Sequence, residues 1–106
     1  MKVIWTPRAY ESWLEAAKYI KKEFGWRALE KFRDSTLQWE EILATMPQTG
    51  HREPLLEGMK KTYRSVVINK KNKLIYTIEE DCIKIDDFWD TRREPNKQRE
   101  QINVPH

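Results

Sequence analysis

The sequence predicts an α+β domain: an N-terminal strand, an antiparallel helical hairpin, then a three-stranded antiparallel meander, in the order β-α-α-β-β-β. Three observations predict it. Two consecutive stretches carry apolar residues at spacings of three and four, the pattern of amphipathic helices. One glycine, Gly25, separates them, so the helices must fold back on each other. After Pro47 the pattern changes to runs of β-branched and aromatic residues divided by polar turns.

The elements follow in chain order. Lys2–Trp5 is a short strand of β-favouring Val3, Ile4 and Trp5. Thr6 then caps a helix whose first residue is Pro7, where a missing N–H costs nothing. That helix covers Pro7–Phe24, with Ala9, Trp13, Ala16, Ala17, Ile20 and Phe24 along one stripe. Gly25 closes it, because glycine tolerates positive φ. The second helix covers Trp26–Thr45, its stripe running through Leu29, Phe32, Thr36, Trp39, Leu43 and Met46 up to Pro47. Residues 48–59 contain Gly50, Pro54 and Gly58 and read as a loop with a short extended piece at Pro54–Leu56.

Three strands follow, at residues 62–68, 73–79 and 82–89, with turns at Asn69-Lys70-Lys71-Asn72 and Glu80-Asp81. In the middle strand either Leu74, Tyr76 and Ile78 or Ile75 and Thr77 face the core; the first set is longer and more apolar. In the last strand Ile83 and Ile85 share a face that Asp87 would continue. A β-bulge near Asp86-Asp87 returns Phe88 to the core. Trp13, Ile20, Phe32, Trp39, Leu43, Tyr76, Ile83 and Ile85 are the expected core. Residues 1–97 form one domain and 98–106 a polar C-terminal tail.

Composition narrows the function. Charged residues make up 35 % of the chain, above the usual ~25 %, yet the formal net charge is only +3. The distribution is more telling than the sum. Residues 60–73 hold Lys60, Lys61, Arg64, Lys70, Lys71 and Lys73 and no acid, while residues 79–90 hold six acids against Lys84. A polarised surface of this kind can offer a local phosphate-binding face. Cys82 is the only cysteine, so no intrachain disulfide can form, and with no secretory leader the expected compartment is the cytoplasm. No apolar run is long enough to span a membrane. Two histidines and one cysteine make no zinc set, and no phosphate loop, dinucleotide fingerprint or Ser/His/Asp order is present. No metal or cofactor is expected.

Three segments carry a family resemblance: the opening VIWTPRAYESW, the stretch EGMKKTYRSVVINKKNKLIYTIEED with Tyr-Arg on one strand and Ile-Tyr on the next, and the exit IKIDDFWDTRREPNK. In this order they resemble the RelE/ParE superfamily of toxins from type II toxin–antitoxin systems, the plasmid stabilisation proteins. The resemblance covers roughly residues 1–97. It implies a growth-arresting bacterial toxin neutralised by a cognate antitoxin. The target would be DNA gyrase, as for ParE-type members, or ribosome-bound mRNA, as for RelE-type members, which cut it without a metal. A non-toxic RNA- or protein-binding module that retains the fold is the alternative.

The resemblance also implies a site. Arg64, Lys73 and Arg92 fall where RelE-type toxins carry catalytic basic residues, with Lys60, Lys61, Lys70, Lys71 and Arg93 as target-binding neighbours. Cations fixed on a sheet can meet the charge that develops on a phosphate under attack. The set is incomplete: Val66, Asp90 and the Lys97-Gln98 region stand where a second basic residue, a histidine and an aromatic would complete it. Arg64, Lys73 and Arg92 are expected on one concave sheet face away from the helices, rimmed by Lys60 and Lys61. Arg64 would share that face with Val66 and Ile68, leaving Tyr63, Ser65 and Val67 towards the helices. Trp26 and the other tryptophans read as core, although one or two of the five could stay exposed for an antitoxin helix.

Overall fold

The computed structural model describes residues 1–91. Its elements are β1 (Lys2–Trp5), α1 (Pro7–Phe24), α2 (Trp26–Thr45), β2 (His51–Arg52), β3 (Arg64–Asn69), β4 (Asn72–Ile78) and β5 (Cys82–Asp90), with single 3-10 turns at Pro47–Thr49 and Pro54–Leu56. The sheet has five strands in the order β1-β5-β4-β3-β2. β1 pairs parallel to β5, and the remaining pairs are antiparallel.

Both helix boundaries rest on local chemistry. Thr6 is extended, and its Oγ1 accepts from the Ala9 N–H at 3.1 Å while Pro7 occupies the first helical position. The same hydroxyl donates to the Asp86 carbonyl at 3.0 Å, and the Thr6 N–H donates to the Ile85 carbonyl at 3.0 Å. The start of α1 is thereby fastened to β5. Gly25 has φ 92° and ψ −178°, a region nearly closed to residues with a Cβ. That one residue reverses the chain between the helices.

The expected bulge in β5 is present. Ile75 pairs with Asp87 and Tyr76 with Ile85, which leaves Asp86 as the extra residue and sends Phe88 into the core. The hairpin packs on one sheet face over Leu43, Leu74, Tyr76, Ile83, Ile85 and Phe88, with Trp13 stacked on Phe32 at 5.3 Å. Trp13, Ile20 and Trp39 are half-buried rather than enclosed. Trp13 uses its indole N–H on Thr36 Oγ1 at 2.9 Å.

Two expectations change. Pro54–Leu56 is a 3-10 turn, not an extended piece, and the extended residues are His51–Arg52, added to the sheet edge as β2. Ile78 is 36 % exposed, while Ile75 on the opposite face is fully buried. The sheet is covered on both sides. Leu56, Ile75 and Trp89, with Leu55, Met59 and Tyr63 against them, make a second small core under the loop that follows β2.

Candidate functional site

Cross-strand partners share a sheet face, so the register locates each expected site residue. Val66 pairs with Leu74 and Arg64 with Tyr76, and Val66, Ile68, Leu74 and Tyr76 all belong to the helix-side core. Arg64 therefore lies on the helix side of the sheet, at its margin. Val67 pairs with Lys73 and Ser65 with Ile75, which puts Ser65 and Lys73 on the far side. The shared face expected for Arg64 and Lys73 does not exist. The parity expected for this strand is reversed: Val66 and Ile68, not Ser65 and Val67, meet the helices. The reversal was hidden because a sheet covered on both faces shows apolar residues at odd and even positions alike. Arg92 and Arg93 lie outside the described residues.

On the far face Lys73 is held by the chain itself. Its Nζ meets Glu53 Oε1 at 2.6 Å, and Ser65 Oγ donates to the same oxygen at 3.2 Å. The other carboxylate oxygen accepts from the Leu55 N–H at 3.3 Å. The Glu53 side chain has no exposed surface, and that of Lys73 keeps 25 %. His51 pairs with Ser65 and so belongs to this face, but it is exposed at the sheet edge. Sequence reasoning missed Glu53, for no local pattern marks a loop carboxylate that will be buried against a strand 20 residues later.

The loop that brings in Glu53 also carries Lys60 and Lys61. Lys60 is exposed, and Lys61 pairs with Glu79 at 3.1 Å. That hydrogen bond raises the Lys61 ammonium above its ordinary value. Burial raises the Tyr63 hydroxyl, and burial likewise raises the Asp86 carboxyl against the pull of Lys84 and a hydrogen bond from Thr77. Trp89 and Ser12 donate to Asp87, and Arg8 approaches it at 3.7 Å.

Arg64 is oriented by a backbone carbonyl. Its Nη1 donates to the Gly50 carbonyl at 2.8 Å, while the Gly50 N–H donates to the Tyr76 hydroxyl at 2.9 Å. A Cβ on Gly50 would stand 2.6 Å from that hydroxyl and 2.8 Å from the Ser65 carbonyl, so only glycine fits this close approach.

A larger feature lies elsewhere. A groove of about 580 Å³ runs between the helical hairpin and the turn joining β3 to β4. Ala16, Ile20, Phe32, Ile68 and Phe88 line it, and Lys31, Lys70 and Lys71 stand at its border. At the hairpin end Tyr19, Phe24 and Trp26 are 47, 61 and 59 % exposed. Lys71 lies 5.9 Å from the Phe24 ring centroid and Lys21 lies 4.8 Å from that of Trp26. Trp26, expected in the core with the other tryptophans, is exposed instead. Among the described residues no cluster of His, Cys, Asp and Glu could hold a metal, and no helix is long and apolar enough to cross a membrane.

Comparison with known proteins gives a consistent picture. A family profile described as ParE toxin of the type II toxin–antitoxin system, parDE, matches residues 3–95. Among curated proteins no sequence matches the chain. Among solved structures, the chromosomal ParDE system from P. aeruginosa is similar at TM-score 0.68 and 13 % identity, over 85 % of this chain and 95 % of that one. The YoeB/ParE toxin from Agrobacterium tumefaciens is similar at TM-score 0.60 and 15 % identity, over 85 and 98 %. The YoeB dimer from Staphylococcus aureus is similar at TM-score 0.58 and 20 % identity, over 88 and 98 %. At these identities the structural likeness concerns the fold.

Proposed function

The chain belongs to the ParE toxin family of type II toxin–antitoxin systems, and from that premise we propose that it arrests growth by binding DNA gyrase, without cutting RNA. One observation carries the choice of target. The two described cations of the expected nuclease set are on opposite faces of the sheet, and Lys73 is paired with the buried Glu53. A scissile phosphate cannot reach both. Lys73 could serve a phosphate only by giving up its ion pair with the buried Glu53 carboxylate.

In this reading the antitoxin occupies the groove beside the hairpin. An apolar trough bordered by Lys31, Lys70 and Lys71 suits an amphipathic segment with acidic flanks, and the exposed Phe24 and Trp26 are large anchors for it. Lys60, Arg92 and Arg93 are left as contacts for the target. Binding of gyrase assigns the chain to the cytoplasm and requires no cofactor.

A supercoiling reaction with purified gyrase and relaxed plasmid tests the proposal. Added chain should stop supercoiling and leave broken plasmid, and prior incubation with the antitoxin should restore the activity. Gyrase that works at its normal rate beside a folded excess of the chain would refute it.

A further inference from the structure

Arg52 and Arg64 face each other as a cross-strand pair between β2 and β3. Like charges placed directly opposite in a sheet repel and cost stability, so two facing guanidiniums require an explanation. Among the described residues no acid provides one. The Arg52 side chain has no hydrogen-bond or ion-pair partner among the described residues. The partner of Arg64 is a backbone carbonyl, which orients the guanidinium without neutralising it.

The surroundings favour an anion. Both arginines line a cleft of about 390 Å³ together with Lys61, Thr62, Thr77, Ile78 and Glu79. Glu79, the one acid there, accepts from Lys61 at 3.1 Å and from Thr77 at 3.5 Å, so it is already in use. Gly50 is packed against the Tyr76 ring and hydroxyl too closely for any other residue, which fixes the carbonyl that aims Arg64. A guanidinium held in place before the ligand arrives loses little rotamer freedom on binding and presents its remaining N–H groups as a fork.

We propose that Arg52 and Arg64, with Lys61 and Thr62 beside them, form a binding site for a phosphate group carried on a larger molecule. A phosphate dianion can accept from both forks at once and removes the repulsion between them. The site differs from the expected nuclease centre, because it leaves Lys73 out and lies at the sheet edge. It stands without the gyrase reading, and no toxicity measurement enters its test.

Inorganic phosphate is the probe, titrated into the isotopically labelled chain at neutral pH and followed by amide and arginine Nε–H signals. Saturable shifts should be confined to residues 52, 61, 62, 64 and 77–79. Arg52→Ala, an exposed change with no internal partner to lose, should weaken binding about tenfold. Lys18→Ala, on the outer side of α1, should leave it unchanged. Shifts that do not saturate, or an Arg52→Ala chain that binds phosphate as tightly as the parent, would overturn the site. Acetate bound as tightly as phosphate would overturn its assignment to a phosphate group.

Discussion

Glu53 has no exposed side-chain surface and meets Lys73, Ser65 and the Leu55 N–H. Removing either member of such a pair strands the other, but the two losses are unequal. Lys73 keeps a quarter of its side chain in contact with water and can turn outward, whereas Glu53 cannot. Lys73→Met should therefore cost about 3 kcal/mol, the low end for a broken buried pair. Glu53→Gln, which keeps an acceptor for Ser65, should cost nearer ~1 kcal/mol. Urea denaturation of the two variants tests the order; equal losses would mean that the pair is effectively solvated. Asp86 gives a pH signature of the less common sign. Burial raises its carboxyl above 3.8, so the folded chain holds that proton more tightly than the unfolded chain does. Its contribution is then a cost, absent below the unfolded value and fully present above the raised one, so stability falls as pH rises through that window. Asp86→Asn should remove that downward slope above the ordinary carboxylate range, seen as a flatter pH profile of the denaturation midpoint.

At the scale of elements, the helix boundaries were legible and the far side of the sheet was not. Thr6-Pro7 and Gly25 act through their own backbone neighbours, so the residues alone announce them. The bulge at Asp86 was legible for a related reason, since Ile83, Ile85 and Phe88 can share a face only with one residue added. The parity of β3 was illegible because Leu55, Leu56, Met59 and Tyr63 cover the second face, an arrangement made by a loop distant in sequence. β2 is two residues long, too short to leave a periodic trace. Two substitutions test how these elements are joined. Thr6→Ala loses both the cap on α1 and the bond to the Asp86 carbonyl, and should cost about 2 kcal/mol, the upper range for a cap. Gly50→Ala forces a methyl against the Tyr76 hydroxyl and should cost about 2–3 kcal/mol by overpacking. A thermal midpoint unchanged by Gly50→Ala would show that the loop yields instead.

Over the whole molecule, the apolar groove and the arginine cleft lie apart. The groove with Phe24, Lys70 and Lys71 lies between the hairpin and the β3–β4 turn, while the arginine cleft lies at the sheet edge by β2. The basic run at residues 60–73 was legible in the sequence, but it is one stretch distributed over two sheet faces and a loop. Three of the expected positions thus serve different surfaces: Lys73 an internal ion pair, Arg64 the edge cleft and Lys71 the groove. If the groove receives the antitoxin, Phe24→Ala with Trp26→Ala should weaken antitoxin binding at least tenfold, measured by calorimetry, and leave the gyrase reaction intact. The central claim is that growth arrest proceeds without RNA cleavage, and mapping of transcript ends in cells arrested by induced chain tests it most directly. Full-length ribosome-bound transcripts alongside fragmented chromosomal DNA are the predicted result. New transcript ends at ribosomal A-site codons, lost in Lys73→Met, would contradict it.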